Sequence, residues 1–178
     1  MGTPLATWAF AAVVLFWATG AYNRLIRLRA QSIAAYAELD LQLLQYDALV
    51  QVLFPQTGLD PLPAVQGVQS AAEQFEQSRK AALADPLDPQ NLGALATAYK
   101  TLLVSWVKTC NEPPDLAGAR LPESMYQQWS AIGLACESAR LEFNRCVDQY
   151  NQAIRHWPGR ILAWVFGLRP ARTLEIVN

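Results

Sequence analysis

One histidine, His156, and three cysteines, Cys110, Cys136 and Cys146, are the strongest candidates for nucleophilic, acid-base or metal chemistry in this chain of 178 residues. None of them stands in a spacing that supports such chemistry. HExxH, GxSxG, a glycine-rich phosphate loop and a metal-spaced Cys/His cluster are all absent from the sequence. His156 comes just before Trp157 and Pro158, at the end of a predicted helix, where the helix dipole favours a cation, and general acid-base catalysis would require an oriented partner. Cys136 and Cys146 fall on the apolar stripe of that helix, where a thiol behaves as a small hydrophobe and is poorly accessible. The expectation is a protein that is not an enzyme and carries no cofactor or metal.

More informative are polar residues placed at helical repeat distances. Asn144 and Asn151 are seven apart, each directly after an aromatic residue, and Asp40 and Asp47 are also seven apart among Ile33, Tyr36, Leu43 and Val50. Polar groups entering a helical core at heptad spacing commonly fix register at some cost in stability. The spacing predicts that Asp40 or Asp47 pairs across a bundle with Arg140, Asn144 or Asn151. Two carboxylates without a histidine or a third acid make a poor metal cage, so pairing is preferred to metal binding.

The elements that must position these residues begin with a membrane segment. Hydrophobic residues make up 52% of the chain and charged residues 16%, with a mean hydropathy of +0.08, an apolar surplus for a domain of 19.7 kDa. From Leu5 to Tyr22 no residue is charged. As a helix these eighteen residues reach about 27 Å, close to the roughly 30 Å of bilayer hydrocarbon. Trp8 and Tyr22 lie near the two ends, where aromatic rings suit the headgroup level. A cleaved signal peptide is the competing reading, disfavoured by the missing basic n-region and by the weak site Ala18-Thr19-Gly20. Arg24, Arg27 and Arg29 follow the span and no Lys or Arg precedes it, so the positive-inside rule puts the body in the cytoplasm, with a periplasmic body as the alternative. The odd cysteine count without CxxC gives neither a disulfide framework nor a zinc knuckle.

Net charge is −1, distributed as +3 over residues 1–35, −7 over 36–154 and +3 over 155–178. The basic collar Arg24, Arg27 and Arg29 suits anionic lipid headgroups, and the balance leaves no excess to neutralise a nucleic acid. Residues 23–157 carry no period-2 alternation and no hairpin dipeptides, so the body reads as all-α. Helix one runs from the membrane through Leu53. A second extends from about Ala64 to Ala84, breaks at Asp85-Pro86-Leu87-Asp88-Pro89 and resumes to about Cys110, Asp88 serving as N-cap. The third carries Trp129, Ile132, Cys136, Ala139, Phe143, Cys146, Tyr150, Ala153 and Trp157, alternating spacings of three and four. The expected architecture is an N-terminal transmembrane helix, residues 1–22, continuing into an antiparallel bundle of three long helices, followed by a short apolar helix and tail over residues 158–178. With three passes, Ile161, Trp164, Val165, Phe166 and Leu168 would lie at the end far from the anchor. There they would cap the bundle, contact a second protomer or dip into a second membrane.

Several of these residues also form a pattern. Arg140-Leu141-Glu142-Phe143-Asn144, Tyr150-Asn151, Trp157-Pro158 and Ala163-Trp164-Val165-Phe166-Gly167-Leu168 resemble the C-terminal signature of the LemA family. Tyr22-Asn23-Arg24-Leu25 and Asp40-Leu41-Gln42-Leu43 are similar to that family's opening motif. The middle departs from it: Leu44-Gln45-Tyr46-Asp47-Ala48-Leu49-Val50 lacks the usual basic pair before the aspartate and the Pro-Asn after it. The resemblance implies a single N-terminal anchor, a long helical bundle and no established catalysis. It also implies company with membrane-bound zinc metallopeptidases and other envelope proteins, and for some relatives a part in forming magnetosome membranes. The expected function is a membrane-anchored scaffold or adaptor of the bacterial inner membrane. It would self-associate as a homo-oligomer and organise envelope proteins such as a membrane protease complex. The alternative is a membrane-shaping or lipid-bridging protein that uses the collar and the apolar tail.

Overall fold

A computed structural model describes residues 3–53, 63–111 and 123–175. Among these residues five helices follow one another: α1 Thr3–Leu53, α2 Pro63–Ala84, α3 Pro89–Asn111, α4 Glu123–Arg155 and α5 Gly159–Val165. Among the described residues there is no strand.

No proline interrupts the 51 residues of α1 after Pro4, and the helix extends for about 77 Å at 1.5 Å per residue. Its two parts meet different surroundings. Trp8, Phe10, Leu15 and Phe16 point outward, whereas from Leu25 onward Tyr36, Leu39, Leu43, Tyr46 and Val50 are buried. That switch from an all-round apolar surface to an inward stripe marks where the free helix becomes part of a body.

The body holds four long helices, one more than the sequence suggested. The break at Asp85-Pro86-Leu87-Asp88 is a reversal: Asp88 N–H donates to the Asp85 carbonyl at 3.3 Å, and α3 runs back along α2. The turn is capped from both sides. Asp88 Oδ2 accepts from the Asn91 N–H at 3.2 Å, as an N-cap should, and the Asn91 side-chain amide donates to the Ala81 carbonyl in the last turn of α2. Two similar stripes then face each other, Val68, Ala71, Phe75 and Ala82 on α2 and Leu92, Leu95, Tyr99, Leu102 and Trp106 on α3.

α1 packs between α4 and α2 and antiparallel to both, Tyr36 meeting Phe143 edge-on at 5.5 Å. α3 and α4 do not approach closely along their backbones. Large rings fill part of that gap: Trp106 stacks on Trp129 at 4.0 Å, and Tyr46 lies against Trp129 at 4.5 Å and hydrogen-bonds Tyr99 through the hydroxyls at 3.1 Å.

The fourth pass moves the tail. After α4 the chain turns through Pro158 into α5, reverses at Gly167, whose φ of +64° favours glycine, and continues as an extended strap over residues 168–175. The end of α4 and α5 therefore stand beside the N-terminal part of α1. The far-end position expected for Ile161 to Leu168 is overturned because an even number of passes returns the chain to its origin. Trp157 also leaves the predicted core stripe: it is 72% exposed and lies just beyond α4.

Candidate membrane-facing site

Two ring pairs join the tail to the first helix. Trp157 lies against Trp17 at 4.7 Å between centroids, and Phe166 against Tyr22 at 4.5 Å. Gly159 makes the turn possible by close approach, since a Cβ there would collide with the backbone carbonyl of Ala153. Around these contacts Ile161, Trp164, Val165 and Phe166 are exposed, Trp164 at 84%, while Ala163 is buried and Leu168 half-buried. Between α1 and the end of α4 opens a crevice of about 1050 Å³. Val13, Phe16, Trp17 and Gly20 line it toward the N-terminus, with His156 near the level of Trp17, and Arg24, Arg27, Gln149 and Gln152 line it toward the body. Arg29, the third member of the collar, faces instead the groove beside Tyr150 and the turn at Asp88.

The predicted polar pairing differs from the one observed. Asp40 and Asp47 face α2, not α4, and both bind Arg79. The guanidinium gives Nη1 to both oxygens of Asp40 at 2.8 and 2.9 Å, and Nε to Asp47 Oδ2 at 3.3 Å. All three side chains are buried. Asp47 Oδ1 and the Tyr36 hydroxyl have no hydrogen-bond partner among the described residues. Burial pushes the Asp47 carboxyl up to about 6, against the pull of Arg79. Arg79 escaped the sequence reading although it left a signal: it sits on the α2 stripe, between Phe75 and Ala82.

Asn144, Asn151 and Arg140 serve the strap. Asn151 accepts from Ala171 N–H at 2.9 Å and donates to the Ala171 carbonyl at 2.8 Å. Asn144 repeats this on Leu174, at 2.8 and 3.1 Å. Arg140 Nη1 adds a bond to the Leu174 carbonyl at 3.0 Å, and the Tyr150 hydroxyl donates to the Arg169 carbonyl. The spacing follows from two pitches: seven residues of helix advance about 10.5 Å and three residues of extended chain about 10 Å, so successive clips stay in register. Ala171 and Leu174 are thereby buried, and the Arg172 side chain reaches over Gly93 of α3.

The family model of LemA matches residues 64–178, well over half of the chain. The chain belongs to the LemA family. Comparison with curated proteins and with solved structures returns no match. The matched LemA region takes in α2 to α5 and the strap, hence Arg79, both asparagine clips and the turn at Gly159; the span and its collar precede it. In this LemA-family protein the cysteines lie where thiolates form poorly. Burial pushes Cys136 up to about 12 and raises Cys146 as well. His156 is exposed on the wall of the crevice. No group of three metal-ligating side chains occurs among the described residues.

Within the described residues α1 is the single helix long and apolar enough to cross a membrane. The exposed apolar side chains of α5 lie beside it, near the end of its uncharged stretch.

Proposed function

We propose that this LemA-family protein is a non-enzymatic scaffold or adaptor that crosses a bacterial inner membrane once through residues 5–22. Its helical body is held against the same bilayer at a second point, α5. The observation that carries this reading is the pairing of Trp17 with Trp157 and of Tyr22 with Phe166. Trp17 lies five residues inside Tyr22, about 7.5 Å deeper along the helix, and amphipathic interfacial helices bury their apolar face roughly 5–10 Å. Exposed Trp164, Val165 and Ile161 thus have a solvent that suits them. The arginine collar favours a cytoplasmic body over a periplasmic one.

The body also leaves Leu134 and Leu141 on α4 and Val104 and Val107 on α3 exposed, side chains available for a second copy or for envelope proteins such as a membrane metallopeptidase. Purification of the full chain in mild detergent tests this. A defined homo-oligomer or a co-purifying envelope protein is expected, and a lone monomer with nothing bound would remove the scaffold reading.

A membrane-shaping role is supported by one separate observation, the place of α5 beside the span, where its side chains would wedge into the leaflet that the span already occupies. Bridging to a second bilayer through the tail loses its basis, because the tail stands at the anchor's end of the body.

A further inference from the structure

The crevice between α1 and the end of α4 is a binding site for one anionic phospholipid, we propose, with the phosphate between Arg24 and Arg27 and an acyl chain lying along Val13, Phe16 and Gly20. This deepens the proposed function and rests on its reading of residues 5–22 as a membrane span.

Three features of the crevice point to a lipid. The first is depth. From Tyr22 down to Val13 is nine residues, about 13.5 Å of helix, against about 15 Å for one leaflet of a 30 Å hydrocarbon core. The apolar part of the site is therefore one leaflet deep, and the polar part begins where headgroups begin. The second is charge. Arg24 and Arg27 line the polar part, one turn apart, and among the described residues no Asp or Glu lines the crevice. Neither guanidinium takes part in an ion pair among the described residues. Elsewhere in the body Arg79, Arg140 and Arg145 are each held by carboxylates. On the opposite wall the antiparallel register set by Trp17 and Trp157 brings Gln149 and Gln152 of α4 to the level of Tyr22 to Leu25, polar groups suited to the ester and glycerol oxygens beside a phosphate. The third is room. A Cβ on Gly20 would meet nothing within 4 Å, and the crevice, at about 1050 Å³, is large enough to take a headgroup and part of a chain. Trp17 and Trp157 close one side with their paired rings.

A phosphate with a single net negative charge and a small polar headgroup, as in phosphatidylglycerol, meets both the charge and the shape. A zwitterionic lipid would bring its own cation toward the same arginines and bind less well.

The test uses the full chain in detergent, titrated with phosphatidylglycerol and separately with phosphatidylcholine, with native mass spectrometry counting bound lipids. One phosphatidylglycerol is expected to bind about tenfold more tightly than phosphatidylcholine. The double variant R24Q/R27Q should erase that preference, and Gly20→Leu, whose Cβ meets nothing within 4 Å and whose side chain would occupy the crevice, should lower the binding of both lipids. R145Q, on an exposed face of α4, should bind as the unaltered chain does, and circular dichroism reports whether each variant keeps its helices. Equal binding of the two lipids by the unaltered chain, or an unchanged preference in R24Q/R27Q, would overturn the site. Displacement of phosphatidylglycerol by millimolar inorganic phosphate would reassign the arginines to a free anion and overturn it too. Alkaline extraction of membranes separates this from the underlying reading. A chain released by carbonate loses both the span and the site, whereas a retained chain that binds both lipids alike loses only the site.

Discussion

Among the described residues Arg79 is the one buried cation, and two aspartates share it unequally. Asp40 receives a forked bond from one nitrogen, while Asp47 receives a single, longer one and leaves an oxygen without a partner among the described residues. Removing Asp40 strands a buried guanidinium, so Asp40→Ala should cost about 3–5 kcal/mol of stability, read from urea or thermal unfolding of the full chain in detergent. Asp47 behaves in the opposite sense. Its carboxyl is raised from 3.8 to about 6, so the folded chain holds the proton more tightly than the unfolded one. The contribution is most favourable below pH 4 and is lost as pH rises toward and through 6, at most about 3 kcal/mol at 1.36 kcal/mol per pH unit. Comparing unfolding of the unaltered chain and Asp47→Asn from pH 4 to pH 7.5 checks the sign. The variant should gain on the unaltered chain as pH rises, and an advantage that grows toward acid would contradict the assignment.

At the scale of elements, the strap depends on two asparagines that imitate a neighbouring strand. Asn151→Ala leaves the buried N–H and carbonyl of Ala171 without their partners, and a loss of about 1–3 kcal/mol is expected for such groups. Hydrogen exchange at the Ala171 amide should then quicken by one to two orders of magnitude, roughly the factor such a loss implies, with α2 unaffected. Gly159→Ala forces a methyl against the Ala153 carbonyl, so α5 should be displaced from α1. Loss of the Trp17–Trp157 and Tyr22–Phe166 contacts would show as a shift in tryptophan emission.

The helices were legible from the sequence because each carries an apolar stripe of the right period, and α1, α2, α3 and α4 fall close to where those stripes put them. The reversal at Asp85 to Asp88 was not legible as such. A proline-rich break shows that a helix stops and restarts, but the direction of the restart is decided by what the two stripes can cover. Val68 to Ala82 and Leu92 to Trp106 each cover fifteen residues, about 21 Å from first to last, and equal lengths on either side of a break suit a hairpin. Asn144 and Asn151 were legible as a repeating polar pair, but not their partners, because a backbone N–H and carbonyl leave no mark in residue type. Arg79 was overlooked because a cation on an apolar stripe identifies itself only against the stripe's own register.

For the whole molecule, parity matters: four passes bring the C-terminal apolar segment back to the level where the uncharged stretch of α1 ends. A spin label on Trp164→Cys in the full chain should therefore be shielded from a water-soluble relaxation agent in bilayers, although the native side chain is 84% exposed in the protein alone. A label that remains fully accessible would place α5 in water. The family match covers α2 through the strap, so the span and collar of this chain have to be tested in their own right.

The unbroken course of α1 has a mechanical consequence. With residues 5–22 in a bilayer as proposed, a rigid rod that ends in the bundle would convert the angle of the span into the position of the body. Leu53 lies 31 residues beyond Tyr22, about 46 Å at 1.5 Å per residue, and a change in span tilt of about 20°, within the range that hydrophobic mismatch produces, would swing that far end by roughly 16 Å. The protein would then work as a pointer to bilayer thickness, with α5 as the foot that resists the swing.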